Sequence, residues 1–175
     1  MLRTLKMKSM AIRLPIIIGA GLVMSLSLHA PVISKSPILV AQSSARGQSD
    51  SQQLTANQRL WNRQNISNYR YTLSRSCFCT PEARGPVIIE VRNGRTTSVT
   101  SVATGQPVNP EFFQKYDTVP RLFDLIRDAI KRKADSLDVK YNSTLGYPTQ
   151  INIDYKSQIA DEEEYLTIEN LQQIN

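Results

Sequence analysis

The sequence predicts an α+β fold, a single domain with an antiparallel sheet of about five to six strands and two helices on one face, in the order α-βββ-α-βββ. Three stretches of the 175-residue chain carry that expectation. Asn68 to Cys79 alternates with period two, so that Tyr69, Tyr71, Leu73, Arg75, Cys77 and Cys79 share one face of a half-buried strand. Asn93-Gly94 stands between the β-rich runs Val87–Arg92 and Arg95–Val102. That dipeptide is the strongest short-range hairpin signal, because both central residues must take positive φ. Thr118 to Asp135 has helical period, with Val119, Leu122, Phe123, Ile126, Ala129 and Ile130 on one stripe.

From the N-terminus, Met1 to Arg13 is basic and Leu14 to Leu28 is an apolar run of fifteen residues containing Pro15, Gly19 and Gly21. That length suits a secretory signal better than a transmembrane helix, which needs about 20 residues. Cleavage after Ala30 or Ala41 makes it a signal peptide, and retention makes it an N-terminal anchor. The expected division is therefore leader 1–41, flexible polar linker 42–53 and folded domain 54–175. Periplasmic or extracellular localisation follows, with membrane contact only through an uncleaved leader.

Within the domain, Thr55 is expected to cap a helix reaching Asn65, with Leu60 and Trp61 on its apolar side and Trp61 as a core anchor. Thr80 to Pro86 is a loop with two prolines. In the hairpin, a two-residue turn pairs Val91 with Thr96 and Ile89 with Ser98. The irregular stretch Thr104 to Asp117 holds Phe112, Phe113 and Tyr116. Exposed, these aromatics form a candidate binding rim; packed inward, the preferred reading, they plug the end of the core. Thr118 is an N-cap, Pro120 fits the first turn, and Lys131-Arg132-Lys133 suit the negative end of the helix dipole. Short strands are expected at 137–141, from Pro148 to Tyr155 with Ile151 and Ile153 on one face, and at 165–171 after the acidic turn Asp161 to Glu164.

Charge and residue content remove several function classes. The formal charge of +6 is concentrated in the leader: five of the 21 basic residues and none of the acidic ones precede Gln42. The nearly balanced remainder lacks the basic footprint of a nucleic-acid binder. The one histidine, His29, belongs to the leader, so the body holds no Ser-His-Asp or Cys-His mechanism and no imidazole ligand for zinc. No cofactor or metal is expected. The carboxylates Asp154, Asp161, Glu162 and Glu163 read as solvated turn residues rather than a two-carboxylate hydrolase.

Cys77 and Cys79 remain. In an oxidising compartment they are expected to pair. Two extended strand steps span roughly 6.6 Å between Cα atoms, near the upper limit for a disulfide, so closure needs a bend near Thr80-Pro81. So small a ring is a local device or a redox-active pair.

Several motifs occur in a specific order: Tyr69-x-Tyr71, Cys77-Phe-Cys79-Thr-Pro81, Val91-Arg-Asn-Gly94, Leu122-Phe-Asp124, Tyr141-Asn-Ser-Thr-Leu-Gly-Tyr-Pro148, Ile153-Asp-Tyr155 and Ala160-Asp-Glu-Glu163. Together they resemble an uncharacterised family of exported bacterial domains of unknown function, over roughly residues 58 to 172. Many members of that family are lipoproteins or secreted, whereas this chain has no lipoprotein-type cysteine directly following the apolar run. The resemblance implies a localisation and no activity. The favoured function is an exported, non-enzymatic domain that binds a protein or small ligand through a sheet face or the 104–117 loop. The alternative is a thiol-disulfide protein using Cys77 and Cys79.

Overall fold

The computed structural model describes residues 37–77, 79–159 and 162–175, with side chains from Arg46 onward. The basic and apolar parts of the expected leader, and Ala160-Asp161 of the last motif, lie outside the described residues. The chain runs α1 (Pro37–Arg63), β1 (Tyr69–Ser76), a one-turn helix α2 (Pro81–Arg84), β2 (Val87–Arg92) and β3 (Arg95–Ser101). After a 3₁₀ turn at Pro110–Phe113 come α3 (Val119–Arg132), β4 (Ser136–Tyr141), β5 (Pro148–Asp154) and β6 (Glu163–Gln173). The six strands form one antiparallel sheet in the order β3-β2-β1-β6-β5-β4. Its two central strands are therefore the first and the last. The α3 segment carries the chain from one edge, β3, to the other, β4.

Period-two patterning decides which face is covered. Tyr69, Tyr71 and Leu73 of β1, Val87, Ile89 and Val91 of β2, and Val99 of β3 are buried, as are Ile151 and Ile153 of β5 and Leu166 and Ile168 of β6. Onto this face α3 lays Val119, Leu122, Phe123, Ile126 and Ala129, and α1 lays Leu54 and Trp61. Each large apolar side chain removed from water in this way contributes about 1.5–3 kcal/mol. The Trp61 ring meets Tyr69 edge-on at 5.4 Å, joining the first helix to the central strand. On β1 the alternate residues Arg70, Thr72 and Ser74 face the other way, and they are exposed or half-buried.

The third helix follows its sequence closely. The Thr118 side chain accepts the Arg121 amide, and Pro120 lies in the first turn. Lys133, at φ 56°, ends the helix in a left-handed turn, its amide on the Ile130 carbonyl and that of Ala134 on the Ala129 carbonyl.

Four local expectations are corrected. The first helix does not begin at Thr55: α1 runs back to Pro37, through the stretch expected as a flexible spacer. Between 42 and 53 there is one glycine and no proline, and polar side chains bond back along the helix. Ser51 Oγ donates to the Gly47 carbonyl and Thr55 Oγ1 to the Ser51 carbonyl, each at 2.8 Å. The hairpin pairs Arg92 with Arg95 and Val91 with Thr96 across Asn93-Gly94, but a bulge then shifts Ile89 from Ser98 to Val99. Strand β1 ends at Ser76, before the cysteines. Strand β6 begins at Glu163, so that half of the expected acidic turn is strand.

Candidate functional site

The end of β1 gathers residues that the sequence scatters. Arg75 continues the buried face below Leu73, where an apolar side chain would be the ordinary choice. Its guanidinium lies 4.9 Å from the centre of the Tyr116 ring, donates to the Phe112 carbonyl at 3.3 Å, and approaches Glu164 at 3.5 Å. The Tyr116 hydroxyl donates to the other Glu164 oxygen at 2.8 Å. Burial, then the Glu164 charge and the hydrogen bond to it, raises the Tyr116 phenol above its ordinary range, keeping it a proton donor. Among the described residues the buried Arg75 Nε has no hydrogen-bond partner.

Immediately beyond, Cys77 and Cys79 are joined in a disulfide with their Cα atoms 5.3 Å apart. That is shorter than the extended spacing because the chain has left the sheet and bends toward Pro81. Both cysteines line a cavity of about 380 Å³ together with Arg75, Ser76, Glu163, Glu164 and Tyr165.

Higher on β1, two tyrosine hydroxyls fasten the segment that precedes α3. Tyr71 donates to the Tyr116 carbonyl at 2.5 Å, and Tyr69 accepts the Val119 amide at 2.9 Å. Burial raises both phenols, Tyr69 to about 12 and Tyr71 well above its ordinary value.

The three loop aromatics do not form a common rim. Phe113 and Tyr116 are 0 % and 2 % exposed, whereas Phe112 is 40 % exposed. The Tyr116 amide donates to the Phe113 carbonyl at 2.7 Å, continuing the three-residue spacing past the 3₁₀ turn, so residues 113 and 116 point inward together while 112 points away. Asn109 caps that turn by accepting the Glu111 amide at 3.0 Å.

The same loop builds a second, larger hollow against the sheet edge. Pro107 bridges Thr100, and the Val108 amide donates to the Val99 carbonyl at 2.9 Å. Between this loop and β3 lies a cleft of about 640 Å³. One wall carries the hydroxyls of Thr96, Thr97, Ser98 and Thr100; the other carries Pro107, Val108, Pro110 and Gln114. Asp117 and Arg121 close it, paired at 2.9 Å, and the Thr96 hydroxyl donates to the Asp117 carbonyl at 2.8 Å. Sequence reasoning singled out the loop but passed over the β3 hydroxyls and Glu164. The available signal for the hydroxyls was the run Thr96-Thr-Ser-Val-Thr100 on what proved to be an edge strand. Glu164 gave none, since its partners lie 48 and 89 residues away.

Among the described residues no group of three His, Cys, Asp or Glu side chains is placed to hold a metal. No described helix is long and apolar enough to cross a membrane.

Residues 53–173 match the model of a family described as "Family of unknown function (DUF6174)". The chain belongs to that family, and the match spans the sheet, α3 and the C-terminal part of α1. No curated protein and no solved structure matches it.

Proposed function

We propose that this chain is an exported, non-enzymatic binding module that holds a small uncharged polar ligand in the cleft between β3 and the 107–117 loop. The observation that carries this reading is the cleft itself. Its volume of about 640 Å³ falls within the usual range of small-molecule sites. Its two charged groups, Asp117 and Arg121, are paired with each other, so the lining favours no net charge on the ligand. The Ser98 and Thr100 hydroxyls and the Gln114 amide supply donors and acceptors. The Thr96 and Thr97 hydroxyls, which donate to the Asp117 and Glu90 carbonyls, supply acceptors, and Val99, Pro107, Val108 and Pro110 supply apolar contact. Native mass spectrometry of the protein as it occurs in the exported fraction tests it. A small-molecule adduct is expected on the wild type and should vanish in Ser98→Trp, which fills the cleft from an exposed position. A bare wild type, or an adduct indifferent to Ser98→Trp, overturns the reading. Export is tested separately by fusing residues 1–45 to a reporter, whose retention in the cytoplasm would refute it.

A second reading rests on the other cavity. Both cysteines line that hollow, which gives a substrate thiol access to the bridge; its one cation, Arg75, is paired with Glu164. In this reading the Cys77–Cys79 disulfide takes two electrons and two protons from a substrate dithiol, which leaves as its own disulfide. A reduction potential in the oxidoreductase range, with turnover in the oxidation of a reduced dithiol peptide to its disulfide, would favour it over the first.

A further inference from the structure

The two edges of the sheet are finished differently. Along β3 the chain covers its own edge: Thr100 is bridged by Pro107, and the Ser101 amide donates to the Gln106 carbonyl at 2.9 Å. Among the described residues β4 pairs with β5 alone. A bare edge strand invites another strand, and charged side chains are the usual deterrent. On β4 the charges are Asp138 and Lys140, opposite in sign and two residues apart on the exposed face. Leu137, Val139 and Tyr141 alternate with them on the half-buried face, where Tyr141 stacks on Phe123 at 6.5 Å.

This arrangement is complementary to itself in one register. With Val139 opposite Val139 of a second, antiparallel copy, Asp138 faces Lys140 of that copy, and Lys140 faces its Asp138. On the other face Leu137 meets Tyr141 of the second copy, twice over. Sliding the pairing two residues one way sets Asp138 against its own equivalent, and the other way sets Lys140 against its own. Sliding by one residue reverses every side chain to the wrong face. The charges that repel an arbitrary strand therefore accept this one.

We infer that the chain forms a two-fold symmetric dimer through β4, joining the two six-stranded sheets into one continuous sheet with the helices of both copies on the same side. The partner is a second copy of this chain, chosen by the Asp138–Lys140 pairing, and the surface is separate from both cavities.

Sedimentation equilibrium of the full chain over a range of concentrations tests the inference, with Asp138→Lys, Lys140→Asp and the double exchange. The wild type is expected to dimerise reversibly. Each single reversal sets like charges opposite each other at two positions and should weaken the dimer by at least about tenfold. The double exchange should restore it. Both side chains are exposed, so far-ultraviolet circular dichroism should be unchanged in all three variants. A wild type that stays monomeric throughout, or an association indifferent to the single reversals, overturns the inference. The register has its own check: Val139→Cys should cross-link two copies on oxidation and Leu137→Cys should not. Cross-linking by Leu137→Cys would show a different pairing and overturn the proposed one.

Discussion

The phenolic oxygen of Tyr69 accepts the backbone amide of Val119 at 2.9 Å, across 50 residues of chain. A side chain of the central strand thus satisfies a donor in the first turn of α3 that the helix cannot satisfy itself. Two residues along, Tyr71 holds the Tyr116 carbonyl, so the entry to the helix is fastened at two points.

Tyr69→Phe keeps the ring and removes the acceptor. The Val119 amide is then buried without a partner, since Val119 and Tyr69 are 0 % and 1 % exposed. The expected cost is about 1–3 kcal/mol in a urea melt with an unchanged slope. An unmoved midpoint would show that another acceptor takes over.

Alkali should unfold the domain earlier than an unburied tyrosine would require. Tyr69 is raised to about 12 by burial, and Tyr71, Tyr116 and Tyr141 are raised as well. A raised phenol favours the folded state fully below the unfolded pKa near 10, and that stability is lost as pH climbs through the folded value. For Tyr69 alone the loss is about 2 kcal/mol by pH 12. Urea midpoints measured from pH 9 to pH 12 should fall, and fall less steeply in Tyr69→Phe. A flat profile would contradict the burial of these hydroxyls.

Two glycines should respond differently to the same change. Gly94 sits at φ 73° after Asn93 at φ 51°, with no atom within 4 Å of the position a Cβ would take. Gly94→Val therefore meets backbone strain alone, about 1–3 kcal/mol. At Gly146, φ 83°, a Cβ would collide with the Asn57 carbonyl and lie 2.9 Å from the Leu60 side chain. Gly146→Val should cost about 3 kcal/mol or more, because α1 must move as well. Equal melting midpoints for the two variants would overturn this contrast.

The cysteines are expected to show no free thiol in protein taken directly from cells, by mass analysis of the non-reduced peptide that holds both. The ring they close spans a sequence separation of 2, so it restrains little of the unfolded chain. The double change Cys77→Ser, Cys79→Ser should cost clearly less than the roughly 2–5 kcal/mol usual for a native bridge in a small secreted domain. Two alkylatable thiols would contradict the pairing. A double variant that fails to fold would show that the bridge is more than a local device.

The parts of the fold legible in the sequence are those whose cause is local. Thr118, the stripe from Val119 to Ala129 and the dipeptide Asn93-Gly94 each specify their structure within one turn or one hairpin. The α1 extension escaped because Ser43–Gln53 has no apolar period, and periodicity was the signal being read. Burial of Phe113 and Tyr116 against exposure of Phe112 depends on a 3₁₀ turn that only the Asn109 cap foretells. The site was less legible than the fold. Arg75, Tyr116 and Glu164 meet only because β1 lies beside β6, and no local pattern announces which strands of a sheet become neighbours. The bulge that displaces Ile89 from Ser98 to Val99 was not legible either, since the Asn93-Gly94 turn fixes only the pairs next to it.

Because the middle of the sheet joins Tyr69 to Gln173, no fraction of the domain is a finished object. A ribosome that has released only the β1–β3 meander has exposed a strand whose neighbour is not yet made. Contacts of such long range are slow to form and keep the chain open until its last strand is available. An open chain is also the form that a translocation channel can thread. A stop codon anywhere before Glu163 should therefore yield a protease-sensitive fragment, not a smaller stable protein.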